Sequence, residues 1–343
     1  MVQHLPSTPS GQRIAVVGAG AIGLWLGVHL GQAGCRISAL ARGATLAALK
    51  QHGMRLASSK EPLRRTDVRA SDRAEELGVQ DLVILSVKAP ALPQFAPQMG
   101  PLIGPDTVIM TAMNGVPWWF FEGFGGESAG QRFESIDPCG GIARALPTRQ
   151  VMGAVVHASC SFSEPGLAQH HFGQRLVLGE AAGGSSARLA ALGALLDQAG
   201  LETELSECIQ REIWFKLWGN MTVNPISALT GATTDLIMDD DLLRQAISGM
   251  MLEAREIGAR LGAPITLDPE DRHAVTRKLG RFKTSMLQDV EAGKAIELDA
   301  LLTVVHELGL RTGVATPLID ALLGMARLQA RMKGLYPWPG KTA

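Results

Sequence analysis

Lys216, Asn220 and Asn224 recur at four-residue steps in "WFKLWGNMTVNP", between Trp214, Phe215, Leu217, Trp218, Met221 and Val223. On an α-helix, residues four apart stand about 40° apart around the axis, so an ammonium and two amides share one slowly drifting stripe. A lysine in such a place can donate a proton or hold a developing negative charge, and amides can fix a ligand without adding charge. A solvated stripe on an amphipathic helix would show the same spacing, and spacing alone leaves both readings open. The apolar flanks argue for burial. Glu212, four residues earlier, could pair with Lys216, and Pro225 removes a backbone donor just past Asn224.

A second group of polar residues lies in "TSMLQDVEAGKAIELD". Ser285, Gln288 and Asp289 fall within one helical turn of each other. Glu297 opens the next helix, where a carboxylate also complements the dipole of the N-terminus.

A third pattern opens the chain. Ile14–Val17 is a β-rich run that turns directly into Gly18-Ala19-Gly20-Ala21-Ile22-Gly23, and a helical pattern continues to Gly34. Glycines are needed here for separate reasons: a tight turn at Gly18, close approach of a pyrophosphate at Gly20, and helix–strand packing at Gly23. The helix N-terminus then offers free N–H groups to phosphate. Placed between strand and helix, the motif predicts a dinucleotide site. The next strand, Arg36–Ala41, is followed by Arg42 where an NAD enzyme commonly places an acid for the ribose hydroxyls. A guanidinium suits a 2′-phosphate, so NADP(H) is expected.

Two further strands, Asp81–Ala89 and Thr107–Gly115, end in Lys88 and in Asn114-Gly115. Ligands of open α/β sheets bind beyond the carboxyl ends of strands, which brings Gly18, Lys88 and Asn114 to one edge. The aromatic stretch Trp118-Trp119-Phe120-Phe121 is either core or a pocket wall. Val151–Glu180 alternates like a pair of strands with a turn at Glu164-Pro165-Gly166.

From about Ser185 the periodicity is helical. One helix ends at Gly200, another at Gly262, and a third opens with Thr316 as N-cap and Pro317 at the first helical position. The fold class that follows is an α/β Rossmann-type N-terminal domain, residues 12–182, with an all-α C-terminal domain, residues 183–335. A length of 343 residues fits two domains.

Bulk charge sets limits on partners. Lys plus Arg number 32 against 33 Asp plus Glu, a net charge of -1, which argues against nucleic acid or an anionic membrane surface. No apolar run reaches the roughly 18 residues of a membrane span. Met1–Gln12 lacks the basic start and apolar stretch of a secretory signal. Cys35, Cys139, Cys160 and Cys208 are widely spaced and the eight histidines form no ligand-spaced pair. No metal is expected, and a cytoplasmic location is.

With these pieces in order, "GAGAIG", "SVKA", "MNG", "WFKLWGNMTVNPISALTG" and "TSMLQDVEAGKAIELD", the chain resembles the ketopantoate reductase (2-dehydropantoate 2-reductase) family from Ile14 to about Met332. The resemblance implies a helical domain like the C-terminal domain of 6-phosphogluconate dehydrogenase. It also implies NADPH-dependent reduction of a 2-keto acid, ketopantoate to (R)-pantoate on the route to pantothenate and coenzyme A. Lys216 would be the catalytic lysine, and Glu297 the acid holding the substrate hydroxyl. Asn220 and Asn224 would line the substrate site, and Ser285 would hold the carboxylate. Asn114 and Lys88 would lie beside nicotinamide and substrate, and Arg42 would take the 2′-phosphate. A homodimer through the helical domain is the expected assembly. The family's usual asparagine shortly before the serine is absent from "RFKTS", where Phe282 and Lys283 stand, so substrate identity is the open part of the expectation. Its rivals are a same-fold dehydrogenase of another keto or hydroxy acid and a non-catalytic NADP sensor.

Overall fold

The computed structural model describes residues 9–338; most of the Met1–Gln12 segment lies outside them. The chain divides into two compact units. One comprises the described residues up to Met113 together with Cys139–Glu212, and the other comprises Asn114–Pro138 and the described residues from Ile213 onward.

The first unit is one twisted sheet with helices packed on it. Its strands are β1 Arg13–Val17, β2 Arg36–Leu40, β3 Met54–Ser58, β4 Arg64–Thr66, β5 Arg69–Ser71, β6 Gln80–Leu85, β7 Ile103–Thr111, β8 Val151–Glu164, β9 Leu167–Glu180 and β10 Glu202–Leu205. They lie in the order β4-β3-β9-β8-β7-β6-β1-β2-β5, with β10 beside β9. From β5 to β8 every pairing is parallel. Numbered by their turn in the chain, those six strands run 3-2-1-4-5-6, the dinucleotide-binding order, with the switch point between β1 and β6. Their near-continuous apolar runs are what a sheet covered on both faces requires. The helix Ala21–Gln32 buries Leu24, Trp25, Leu26, Val28 and Leu30 in this core.

The antiparallel pair β8 and β9 turns at Pro165-Gly166, as expected, and extends the sheet rather than ending it: β9 also pairs with β3 and β10. This moves the expected domain boundary. The helix Ala187–Gln198 puts Leu189, Leu192, Leu195 and Leu196 into the core of the sheet, and β10 follows it. Residues 183–212 therefore complete the first unit, where an all-helical second domain from residue 183 was expected. Helical periodicity reports the shape of an element and not which core it joins.

Among its described residues the second unit holds helices and turns and no strand. The helix Ile209–Thr230 continues through Pro225. Around it pack Asp241–Leu261, Pro269–Arg277, Ser285–Glu291, Val304–Thr312 and Pro317–Met332, preceded at Asp299–Thr303 by a π-helical turn. Trp214, Leu217, Trp218 and Met221 are buried at the centre. The Trp218 indole N–H donates to the Met251 carbonyl at 2.6 Å. Phe120, Phe121 and Phe133, from the 114–138 segment, share the same core. Phe120 and Phe121, which are 0 % and 1 % exposed, are thus core residues and not a pocket wall. Gly262 ends its helix in the left-handed region, at φ 87°. Thr316 precedes Pro317 as expected, but its hydroxyl donates to the Asp320 carboxylate rather than capping a backbone N–H.

Candidate active site

The phosphate end is built at the switch point of the first unit. Gly18 follows β1 with φ 97°, and a β-carbon there would lie 2.5 Å from the Val87 backbone nitrogen beyond β6. Only glycine lets the two strand ends approach so closely. The Ser86 hydroxyl donates to the Gly18 carbonyl at 2.8 Å and fixes the loop. A β-carbon on Gly23 would meet the Gly18 carbonyl at 2.3 Å, so this glycine serves helix–strand packing. Gly20 differs, because a β-carbon there would meet nothing within 4 Å. It borders open space at the first turn of Ala21–Gln32, where no side chain caps the helix and no acid sits in the first turn. Ala19 is buried, and Ala21 and Ile22 are partly exposed. This is an uncapped N-terminus, carrying N–H groups and partial positive charge, behind a glycine that leaves room.

Arg42 stands just past β2 at the start of the helix Gly43–His52, and its side chain is exposed. Its guanidinium donates to the Gln98 side chain at 2.5 Å and lies 4.6 Å from the centre of the Phe95 ring. Lys88 follows β6 as an exposed residue opening a short 3-10 turn. Open room at Gly20, the bare helix end and a cation beyond β2 fit a phosphorylated dinucleotide.

The second unit brings together Lys216, Glu297 and Arg272. The Lys216 pKa is pulled down to about 8, first by loss of water and further by repulsion from Arg272, while attraction to Glu297 opposes the shift. Glu297, rather than Glu212 on the same helix, is the carboxylate that acts on this ammonium. It is only 4 % exposed and stands just before the π-helical turn. The 114–138 segment docks on that turn. The Val116 N–H donates to the Ala300 carbonyl at 2.9 Å, and Gly115 (φ 81°) packs so tightly against Ala300 that a β-carbon would come within 2.4 Å of the same oxygen. Asn114 thereby lies two residues before Val116, whose partner Ala300 lies three residues past Glu297.

Asn220 and Asn224 follow Lys216 on its helix, and Asn224 is 8 % exposed. Their side chains, like those of Asn114 and Ser285, make no hydrogen bond to another described residue. Asn224 is buried and Asn114, Asn220 and Ser285 are partly exposed, so these polar groups remain open to a ligand or to water. Ser285 is the first residue of its helix, behind the Thr284 hydroxyl that accepts from the Leu287 N–H at 3.2 Å. Lys283 points elsewhere, pairing on the surface with Glu291 at 2.7 Å.

Arg272 escaped the sequence analysis. It comes from the charged helix Pro269–Arg277, which reads as a solvated surface segment. The faint signal was Gly219 in the middle of a buried helix. A β-carbon there would fall 2.6 Å from the Arg272 Nε, so this glycine makes room for a side chain 53 positions away.

A dinucleotide crevice in one unit and a desolvated lysine with a carboxylate in the other define an oxidoreductase that uses a nicotinamide cofactor and acts on CH–OH donors. Residues 14–183 match the family described as Ketopantoate reductase PanE/ApbA, and residues 208–330 match its C-terminal domain. The chain belongs to the ketopantoate reductase family. It is 42 % identical to a 2-dehydropantoate 2-reductase of Mesorhizobium japonicum, over 94 % of this chain and 99 % of that protein. A candidate ketopantoate reductase of Ralstonia solanacearum MolK2 superposes with a TM-score of 0.90 at 54 % identity, covering 95 % of this chain and 100 % of the other. The 2-dehydropantoate 2-reductase of Geobacter metallireducens gives 0.81 at 26 %, covering 92 % and 99 %. No helix among the described residues is long and apolar enough to cross a membrane.

Proposed function

We propose that the protein reduces a 2-keto acid with NADPH, and that the acid is ketopantoate, giving (R)-pantoate. The observation that carries this reading is the desolvated Lys216 ammonium, held beside Glu297 on a helix whose Asn220 and Asn224 amides make no hydrogen bond to another described residue. When bound, the reduced nicotinamide supplies a hydride to the carbonyl carbon. Lys216 donates a proton to the carbonyl oxygen, which would otherwise become an alkoxide, so the product is an alcohol and the lysine is left neutral. A lysine near pKa 8 is still protonated at neutral pH yet gives up its proton far more readily than one in water. Glu297 accepts a hydrogen bond from the substrate's own hydroxyl and keeps Lys216 charged. Asn114, Asn220, Asn224 and Ser285 donate to the carbonyl and carboxylate, and Lys88 borders the nicotinamide end.

For the cofactor, Gly18, Ala19, Gly20, Ala21, Ile22 and Gly23 form the pyrophosphate loop and Arg42 pairs with the 2′-phosphate. Arg42→Ala should weaken NADPH about tenfold or more and leave NADH nearly unchanged, as read by fluorescence titration; equal losses would remove Arg42 from the site. Lys216→Ala should lower kcat by roughly 10²–10⁴-fold while NADPH still binds. Near-normal turnover of ketopantoate by that variant would sink the mechanism. A panel of ketopantoate with bulkier and aromatic 2-keto acids tests the substrate, and sedimentation tests the homodimer proposed here as its assembly.

A further inference from the structure

Arg272 is not accounted for by the fold. Its guanidinium is desolvated, which lowers its pKa, and it forms no ion pair or side-chain hydrogen bond with any described residue. Its Nε is fully buried and unpartnered. The residue as a whole is only partly exposed, so its guanidinium has lost part of its water with no carboxylate to meet it, which is costly.

The backbone beneath it is pinned. Pro269, His273 and Thr276 of the same helix are buried. The His273 ring nitrogen Nε2 lies 2.8 Å from the Ser248 hydroxyl, which ties this helix to Asp241–Leu261. On the outer side, Arg277 pairs with Glu270 at 2.9 Å. Helix Ile209–Thr230 is cut away to receive the guanidinium: a β-carbon on Gly219 would sit 2.6 Å from Nε and 2.7 Å from Nη2. Gly219 adjoins Asn220, and the guanidinium is near enough to repel the Lys216 ammonium. Of the charged groups that act on Lys216, Glu297 attracts the ammonium and Arg272 repels it. An anion meeting the guanidinium would offset that repulsion.

We propose that Arg272 is the anion anchor of the substrate site and receives the carboxylate of the 2-keto acid in a two-pronged ion pair, with Gly219 as the notch that admits it. The inference rests on the keto-acid reading given above and adds a charged group to its neutral amides. A guanidinium suits the task because its planar fork matches both carboxylate oxygens and cannot be deprotonated by its neighbours. The ion pair also neutralises the cation that presses on Lys216, so an anionic substrate arriving raises the proton affinity of the lysine.

The test replaces Arg272 with Met, which keeps the length and removes the charge. The expected result is a rise of roughly 10- to 100-fold in KM for the keto acid, with the KM for NADPH unchanged. Arg272→Lys should recover part of the loss. Arg272→Ala should be rescued by millimolar guanidinium ion, which a purely structural arginine would not allow. Gly219→Ala, which crowds the guanidinium from the other side, should raise the same KM and serves if Arg272→Met does not fold. Independently of turnover, oxamate should bind the wild-type protein with NADPH and lose at least tenfold in affinity in Arg272→Met, as read by calorimetry. If no keto acid is reduced but oxamate binding still depends on Arg272, the keto-acid reading fails and the anchor stands. Unchanged KM with unchanged oxamate affinity, or no oxamate binding to the wild type, overturns the anchor. A KM increase confined to NADPH assigns Arg272 to the cofactor and overturns it as well.

Discussion

The crevice beyond β1 and β6 is made of backbone and of side chains left out, whereas the cluster around Lys216 is made of charged side chains drawn together out of water. In the first unit Gly18 and Gly23 bring main chain against main chain, and Gly20 leaves room. The two cations that follow its strands, Arg42 and Lys88, are exposed. In the second unit Lys216, Arg272 and Glu297 meet in a confined space beside Asn224. The first arrangement is stable in itself, since every close contact also serves the fold. The second is held against its own cost of desolvation by the aromatic core around it. The contrast teaches which substitutions should damage the fold and which only the chemistry.

The largest effect is expected from Gly18→Ala. A side chain at φ 97° pressed to 2.5 Å from the Val87 backbone cannot be relieved by a rotamer change. Stability should fall by about 2 kcal/mol or more. Gly20→Ala places its methyl in open space, so thermal unfolding should stay close to wild type while NADPH affinity drops about tenfold. Equal destabilisation of the two variants would break the division between a fold glycine and a ligand glycine.

The charged cluster is next, through pH. In the reducing direction kcat/KM should fall as pH rises through about 8, because Lys216 loses the proton that the proposed mechanism has it donate, and alcohol oxidation should rise over the same range. Stability follows from the same group. Its folded pKa lies below the unfolded value, so the unfolded chain binds the extra proton between about 8 and about 10.4, and stability should rise with pH across that window. Lys216→Met should therefore raise the Tm at pH 7, with the gain shrinking by pH 9.5. A pH-independent difference would mean that the ammonium is solvated.

The smallest effect is assigned to Lys283→Ala. Its ion pair with Glu291 is exposed on both sides, so stability should change by less than about 1 kcal/mol and turnover hardly at all. A marked KM change would draw this surface pair into the site and blur the line between rim and cluster.

Much of the first region was legible because its signals are local. The glycine loop, its flanking strand and helix, and Arg42 lie within thirty residues, and each residue's reason is geometric. The four-residue stripe of Lys216, Asn220 and Asn224 was visible for the same cause. What stayed hidden depends on distant partners. The helix Ala187–Gln198 is apolar on one face wherever it packs, and only pairing of β10 with β9 assigns it to the sheet. Phe120 and Phe121 read equally well as wall or core until Trp214 is placed beside them. Arg272 looks like any surface arginine until Gly219 explains it.

The stretch Asn114–Pro138 also bears on how the chain is made. It leaves the first unit after β7 and contributes Phe120, Phe121 and Phe133 to a core whose other members begin at Trp214. During synthesis at about 5–20 residues per second, those rings emerge several seconds before the helices that cover them. For that interval the growing chain carries an aromatic cluster with no native partner, next to a sheet waiting for β8 to join β7. A nascent chain stalled between residues 138 and 213 should therefore be the species most in need of a chaperone. Contacts this distant in sequence also place the second core among the late and slow events of folding.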